Sequence, residues 1–278
     1  MICFPNCKLN LGLNIVEKRV DGFHNIETVF LPLALHDVLE IIPAESTSFF
    51  QSGIPIPGSS SDNIILKAYH LLKKDFKQIK DLSIHLLKNI PTGAGLGGGS
   101  ADGTYMLKCL NSYFNLNLTS NQLESYALQL GSDCPFFIHN KPMFASGRGE
   151  IFEPIDIHLT DYFILIINPG IHINTGWAFS QLKPSAPKKS IKDIARMELS
   201  QWKYELFNDF EKPVCTNYPE LNNIKSELYK IGAVYAAMSG SGSTFFGIFK
   251  KEIMGEIKNL VSNETRFKSN KLFFTSQL

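Results

Sequence analysis

The chain has 278 residues, of which 44% are hydrophobic and 19% charged, with a formal net charge of +1 and a mean hydropathy of −0.03. That balance describes a globular protein with a sizeable core, and it excludes nucleic acid or an anionic membrane as a bulk partner. No apolar run approaches the ~18 residues of a spanning helix, and the N-terminus lacks the charged-then-apolar pattern of a signal peptide.

The five cysteines, at 3, 7, 109, 134 and 215, show no CxxC spacing and read as reduced thiols in cytoplasm. From Leu9 to Ile15 apolar residues alternate with Asn10, Gly12 and Asn14, which predicts a strand with Lys8 and the asparagines on one face. That face either meets water or lines a polar site. Asp21-Gly22 signals a hairpin, so residues 25–35 should pair back on the first strand, and residues 37–42 make a third. Residues 43–61 are a strand and loop, and Ser61-Asp62-Asn63 caps a helix from Ile64 to Phe76. Leu82 to Leu87 alternates as a strand.

Residues 91–103 hold six of the chain's 20 glycines. Each glycine costs extra backbone entropy, a cost accepted where the chain needs φ > 0 or close approach to a ligand. A strand, a glycine loop and a helix start in that order form an anion site, because free N–H groups converge there and the helix dipole favours negative charge. The following helix should run from about Ser100 to Phe114. Another starts at Thr119-Ser-Asn-Gln and ends at Gly131. Asp133 follows that glycine and precedes Cys134-Pro135, beside the apolar Phe136 and Phe137 that would desolvate a carboxylate. It is the best candidate for a general base, and Lys8 the best candidate for a cation; a turn-capping aspartate and a solvated lysine are the bland alternatives.

Beyond a boundary near residue 155, the pattern predicts a strand at 161–168, a short helix reaching Phe179, and a solvated lysine-rich segment at 183–192. Helices follow around 198–210 and 219–231, and strands at 233–238, 244–249 and 271–275 bracket a helix at 253–261. Ser239-Gly-Ser-Gly-Ser243 is a second glycine turn. The picture is α+β in two domains, 1–155 and 156–278. No Walker lysine follows the glycine loop, and G-x-G-x-x-G at 93–98 lacks a dinucleotide-binding context.

Pro91-Thr-Gly-Ala-Gly-Leu-Gly-Gly-Gly-Ser-Ala-Asp102 resembles the central ATP-binding motif of the GHMP kinase superfamily. Cys7-Lys-Leu-Asn-Leu-Gly-Leu resembles its first motif and Met238-Ser-Gly-Ser-Gly-Ser-Thr its third. The resemblance implies an N-terminal mixed β/α domain, a C-terminal ferredoxin-like domain, and an active site in a cleft between them. Within the superfamily, Lys8-Leu-Asn10 with Asp21-Gly-Phe-His24 and Gly131-Ser-Asp133-Cys-Pro-Phe is most similar to the branch that serves non-mevalonate isoprenoid biosynthesis. That branch uses ATP and Mg²⁺ to phosphorylate the 2-hydroxyl of a cytidine-diphosphate-linked methylerythritol, in the cytoplasm, as a monomer or homodimer.

The roles implied are residue by residue. Asp133 would take the hydroxyl proton and Lys8 would offset charge. Pro91, Thr92, Gly93, Ala94, Gly95, Leu96, Gly97, Gly98, Gly99 and Ser100 would surround the triphosphate, with Ser100 near phosphate or Mg²⁺. Asn63 would contact adenine or ribose. Asn10, Phe23, His24, Thr175 and Phe179 would bind the substrate, with Phe23 stacking on cytosine and His24 bonding its edge. Two positions depart from the pattern: Phe23 stands where Tyr is common, and Ala101 where a second Ser often follows Ser100. Homoserine-type or mevalonate-type kinases and an inactive metabolite-binding relative are the alternatives.

Overall fold

A computed structural model of the chain describes residues 1–59, 62–264, 267 and 270–278; Ser61 of the expected cap cluster lies outside them. In chain order the strands are β1 (Ile2–Cys3), β2 (Asn6–Lys18), β3 (His24–His36), β4 (Val38–Pro43), β5 (Ser48–Gly53), β6 (Leu82–Lys88), β7 (Met143–Ser146), β8 (Ile151–Pro154), β9 (Tyr162–Asn168), β10 (Tyr235–Met238), β11 (Phe245–Lys250) and β12 (Lys271–Thr275). The helices are α1 (Ile64–Asp75), α2 (Gly98–Tyr113), α3 (Ser120–Leu130), α4 (Phe136–His139), α5 (Thr175–Ser180), α6 (Ile191–Ala195), α7 (Leu199–Glu205), α8 (Glu211–Asn217), α9 (Ile224–Lys230) and α10 (Met254–Asn263).

Contacts group the residues into two compact units. The first comprises Met1–Cys7, Leu35–Thr92 and Gly97–Lys141. Its sheet has the order β1-β4-β6-β5, with β4 antiparallel and β5 parallel to β6. Leu82, Ile84 and Leu86 alternate inward from β6 and meet Ile65, Ala68, Tyr69 and Leu72 of α1 in one core. The α1 positions follow the i, i+3, i+4, i+7 spacing of a single apolar stripe. Asn63 Oδ1 caps that helix by accepting from Ile65 N at 2.9 Å. At α3, the Thr119 side chain accepts from Gln122 N while Gln122 Oε1 accepts from Thr119 N, a complete capping box.

The second unit comprises Lys8–Ala34, Gly93–Leu96 and Pro142–Leu278. Its two sheets have the orders β2-β3-β7-β8 and β10-β11-β9-β12. The apolar run of β9 pairs on both edges, antiparallel to β11 and to β12, so Phe163 to Ile167 are fully buried. This grouping differs from a single cut near residue 155. Leu13 and Ile15 of β2 pack in the same core as Leu165, Phe210, Val214 and Phe249. The second strand of the hairpin, β3, lies beside β2 as the Asp21-Gly22 turn requires.

The helix read at 198–210 is broken in the structure. It stops at Glu205 and resumes at Glu211 because the intervening residues have other bonds to make. Asn208 Nδ2 donates to Met238 O and Gly240 O, both at 2.8 Å, and Asp209 Oδ2 accepts from Ile15 N at 2.7 Å. Similarly, 219–231 divides into a 3-10 turn, Pro219–Leu221, and α9. The lysines at 183, 188 and 189 are exposed, as a solvated segment requires.

If β2 completes the second unit's core, Leu13→Ala should destabilise the protein by about 2–5 kcal/mol, the usual range for a buried leucine. Denaturant unfolding followed by circular dichroism measures it.

Candidate active site

The second unit gathers all three glycine-containing segments around one lysine. Lys8 is 3% exposed and Asn10 2% exposed, so the polar face of β2 lines a buried site rather than meeting water. Lys8 Nζ donates to Asn10 Oδ1 at 2.6 Å and reaches Gly95 O at 3.5 Å. Asn10 Nδ2 donates to Thr28 Oγ1 at 2.9 Å, and that hydroxyl donates to Gly12 O at 2.6 Å. This chain orients the Asn10 amide, and the amide in turn fixes the ammonium.

Ser239, which opens the second glycine turn, closes the arrangement. Its Oγ accepts from Asn10 N at 3.1 Å and donates to Gly95 O at 2.8 Å. Gly95 has φ +78°, and a Cβ there would fall 2.0 Å from Ser239 O. Only glycine fits, on both conformational and steric grounds. Pro91, Ala94 and Leu96 are buried, so what these positions offer a ligand is backbone.

A separate corner of the second unit carries the aromatic residues. Arg19 N donates to Phe23 O across the hairpin turn, which leaves the Phe23 ring 50% exposed. The Arg148 guanidinium lies 4.6 Å over that ring. His24 stacks on Phe179, with centroids 4.8 Å apart and planes 17° from parallel. Desolvation, aided by Lys18, holds the His24 imidazole below its ordinary pKa, so it is neutral at physiological pH with one donor and one acceptor. Thr175, at the start of α5, shares a hydrogen bond of 3.1 Å with Ser241 of the glycine turn.

The first unit contains the N-terminus of α2 and Asp133. Gly97 caps α2 with φ +69°, and no acidic residue occupies the first turn. A Cβ at Gly99 would meet nothing within 4 Å, so there is open space beside the first turn of α2. Ala101 is fully buried, so the position that lacks the expected second serine packs inward. Thr104 Oγ1 lies 2.8 Å from Ser100 O and 2.9 Å from Cys134 O, which ties the Asp133-Cys134 turn to the start of α2. Phe136 and Phe137 are fully buried while Asp133 stays partly exposed. Asn63 is present, its oxygen engaged in the α1 cap.

The model of the GHMP kinases N terminal domain matches residues 63–141, and that of the GHMP kinases C terminal domain matches residues 182–261. A 4-diphosphocytidyl-2-C-methyl-D-erythritol kinase of Parabacteroides distasonis is 48% identical over 95% of this chain and 97% of its own. One from Bacteroides fragilis is 54% identical over 91% of this chain and 93% of its own. The chain belongs to the GHMP kinases. A crystal structure of 4-(cytidine 5'-diphospho)-2C-methyl-D-erythritol kinase, 27% identical, superposes with a TM-score of 0.83 over 99% of this chain and 98% of that one. The Methanococcus jannaschii mevalonate kinase, 12% identical, shares the fold with a TM-score of 0.71 over 100% and 98%. As a member of this family, the protein is an ATP-dependent small-molecule kinase.

This GHMP kinase also carries charged contacts that pattern reading passed over. Arg148 is one. The buried trio Lys88, Asp37 and Asp102 is another. Lys88 Nζ, 1% exposed, donates to Asp37 Oδ2 and, at 2.7 Å, to Asp102 Oδ2. Asp37 Oδ1 also accepts from Asn89 N and Ile90 N at 2.6 and 2.8 Å. The ammonium sits under the first turn of α2, 3.0 Å from where a Gly98 Cβ would be. Burial raises the Asp102 carboxyl to about 8 despite the Lys88 charge, and its Oδ1 has no hydrogen-bond partner.

Two outcomes follow for this site. Gly95→Ala forces a left-handed backbone onto a side chain, a cost of about 1–2 kcal/mol, and displaces Ser239. Its kcat should fall and its melting temperature should drop. A raised carboxyl means that the folded protein keeps a proton that the unfolded chain releases. Asp102 therefore contributes stability that declines as pH rises from about 4 to about 8. Unfolding free energies measured across that range should fall less steeply in Asp102→Asn than in the parent protein.

Proposed function

We propose that this GHMP kinase transfers the γ-phosphoryl group of ATP to the 2-hydroxyl of 4-diphosphocytidyl-2-C-methyl-D-erythritol, in the cytoplasm, as a step of non-mevalonate isoprenoid precursor synthesis. The observation that carries the substrate assignment is the aromatic corner. An exposed Phe23 ring offers a stacking face. A neutral His24, its plane held by Phe179, offers a donor and an acceptor along its edge. A nucleobase uses both features, and homoserine or mevalonate uses neither.

The roles follow from the chemistry. Phosphoryl transfer rests on positioning and charge stabilisation more than on covalent chemistry. Asp133 accepts the proton of the substrate hydroxyl. Lys8, held by Asn10 and the Gly95 carbonyl, offsets charge on the transferring group. The backbone of residues 93–100 and the free N–H groups of α2 hold the phosphates. Asn63 faces the nucleoside, and Thr175 supports the substrate side.

Mg²⁺ fits this donor set in the usual way for a nucleotide kinase. No group of three or more His, Cys, Asp or Glu is placed to hold a metal among the described residues. The ion would therefore rest mainly on phosphate oxygens and water, with the Ser100 hydroxyl beside them. Bound there, it would neutralise charge on the phosphates.

Steady-state assays with ATP and Mg²⁺ test the reading. The cytidyl substrate should be turned over, while mevalonate and homoserine should not; the reverse would sink the assignment. Asp133→Asn should lower kcat by about 10²–10⁴, the range of a general base, with ATP affinity by calorimetry nearly unchanged. Full activity in that variant would remove Asp133 from the mechanism.

A further inference from the structure

Two cysteines from opposite ends of the first unit's sequence meet inside it. Cys3 in β1 and Cys109 in α2 are 106 positions apart, and their sulfurs lie 2.8 Å apart as a hydrogen-bonded thiol pair. A disulfide bond is about 2.05 Å long, so closure needs less than about 1 Å of further approach. The surrounding contacts hold this geometry. Tyr105, one helical turn before Cys109, donates from its hydroxyl to Asn6 Oδ1 at 2.9 Å. The i and i+4 positions of α2 thus face two residues of the N-terminal segment, three positions apart. The N-terminal ammonium, bound to Ile41 O at 2.8 Å, anchors the same segment from its other end.

We propose that Cys3 and Cys109 form a modification site, a dithiol that small-molecule disulfides of the glutathione class convert reversibly into an intramolecular disulfide. The pair is built to start this exchange. The hydrogen bond shared with Cys3, with help from the N-terminal ammonium and Lys108, holds the Cys109 thiol below its ordinary pKa against the effect of burial. The same hydrogen bond, together with burial, pushes Cys3 up, so the two sulfurs release one proton readily and hold the second. Cys109 is 3% exposed, whereas Cys3 is partly open to solvent, so the external reagent enters from the Cys3 side.

In the first step Cys3, the accessible member, passes its proton to the Cys109 thiolate and its own sulfur attacks one sulfur of the external disulfide. A mixed disulfide forms, the external S–S bond breaks, and one small thiolate leaves and takes up the proton already released. In the second step the remaining protein thiol loses its proton and attacks the protein sulfur of the mixed disulfide. The second small thiolate leaves and takes up that proton. Two protein thiols and one external disulfide become one protein disulfide and two small thiols.

The bond would fasten a lightly held strand. β1 pairs with β4 through only two residue positions, Ile2 opposite Glu40 and Cys3 opposite Leu39. Closing so long a loop also restricts the unfolded chain, which raises stability.

The test uses the full-length enzyme incubated with glutathione disulfide, quenched with an alkylating reagent and analysed by mass spectrometry. The expected product is about 2 Da lighter than the reduced chain before alkylation and carries two alkyl groups fewer after it, with two glutathione molecules released per chain. Its linkage should map to Cys3 and Cys109, its melting temperature should rise, and dithiothreitol should reverse both changes. Cys3→Ser and Cys109→Ser should each lack the linkage and the thermal shift. Cys3 is at an edge and partly exposed, so Cys3→Ser keeps the comparison available if Cys109→Ser fails to fold. The proposal is overturned if Cys3 and Cys109 both stay alkylatable after Cys215 has been modified, or if the linkage maps to any other pair.

Discussion

The hydroxyl of Ser239 is the joint on which the arrangement around Lys8 depends. It accepts from Asn10 N and donates to Gly95 O, so three segments separated by more than eighty residues are fastened on one oxygen. The joint exists only because position 95 has no side chain, since a Cβ would fall 2.0 Å from Ser239 O. Everything downstream follows from it. With Asn10 fixed, its amide oxygen presents to Lys8, and with Gly95 fixed, its carbonyl presents to the same ammonium. The glycine loop thus does two jobs. Its second half begins α2, and its first half is packed so closely that it aims a lysine.

Among the described residues Lys8 and Lys88 are the buried lysines, and they serve opposite ends. Lys88 has the Asp37 carboxylate on one side and the raised Asp102 carboxyl on the other, both within the first unit. Such a trio gives little net stability, because desolvation offsets attraction, but it makes removal of any one member costly. It anchors the start of α2 to the end of β6. Lys8 donates instead to neutral oxygens of an amide and a peptide group. Its positive charge is held in place without being cancelled by those partners, and that suits a residue proposed to meet a phosphoryl group.

Much of the fold was legible because local rules agree with tertiary needs. The cap at Asn63, the capping box at Thr119 and the hairpin at Asp21-Gly22 all formed where their chemistry predicts. The site was legible by resemblance more than by pattern. Alternation along β2 left open whether the face of Lys8 and Asn10 meets water or lines a polar site, and both are nearly as buried as their apolar neighbours. Their partners lie at 95 and 239, and periodicity carries no information about partners so distant. Asp102 looked like the tail of a motif for the same reason, since the lysine that explains it is at 88 on another element. The helix expected across 198–210 failed where Asn208 and Asp209 spend their side chains on β2 and the β10 turn. Helical propensity lost there to hydrogen bonds that only the folded chain can offer.

The assignment of residues 8–34 and 93–96 to the second unit has a consequence for how such a protein can be divided. The backbone passes from one compact unit to the other at Cys7–Lys8, Ala34–Leu35, Thr92–Gly93, Leu96–Gly97 and Lys141–Pro142. No single cut therefore frees either unit whole. A fragment ending near 155 would carry the strand of Lys8 without the C-terminal core that Leu13 and Ile15 fill. The complementary fragment would keep that core but lack two of its wall strands. Shuffling of modules at one breakpoint is closed to an architecture of this kind, and its two halves have to be inherited as one gene segment.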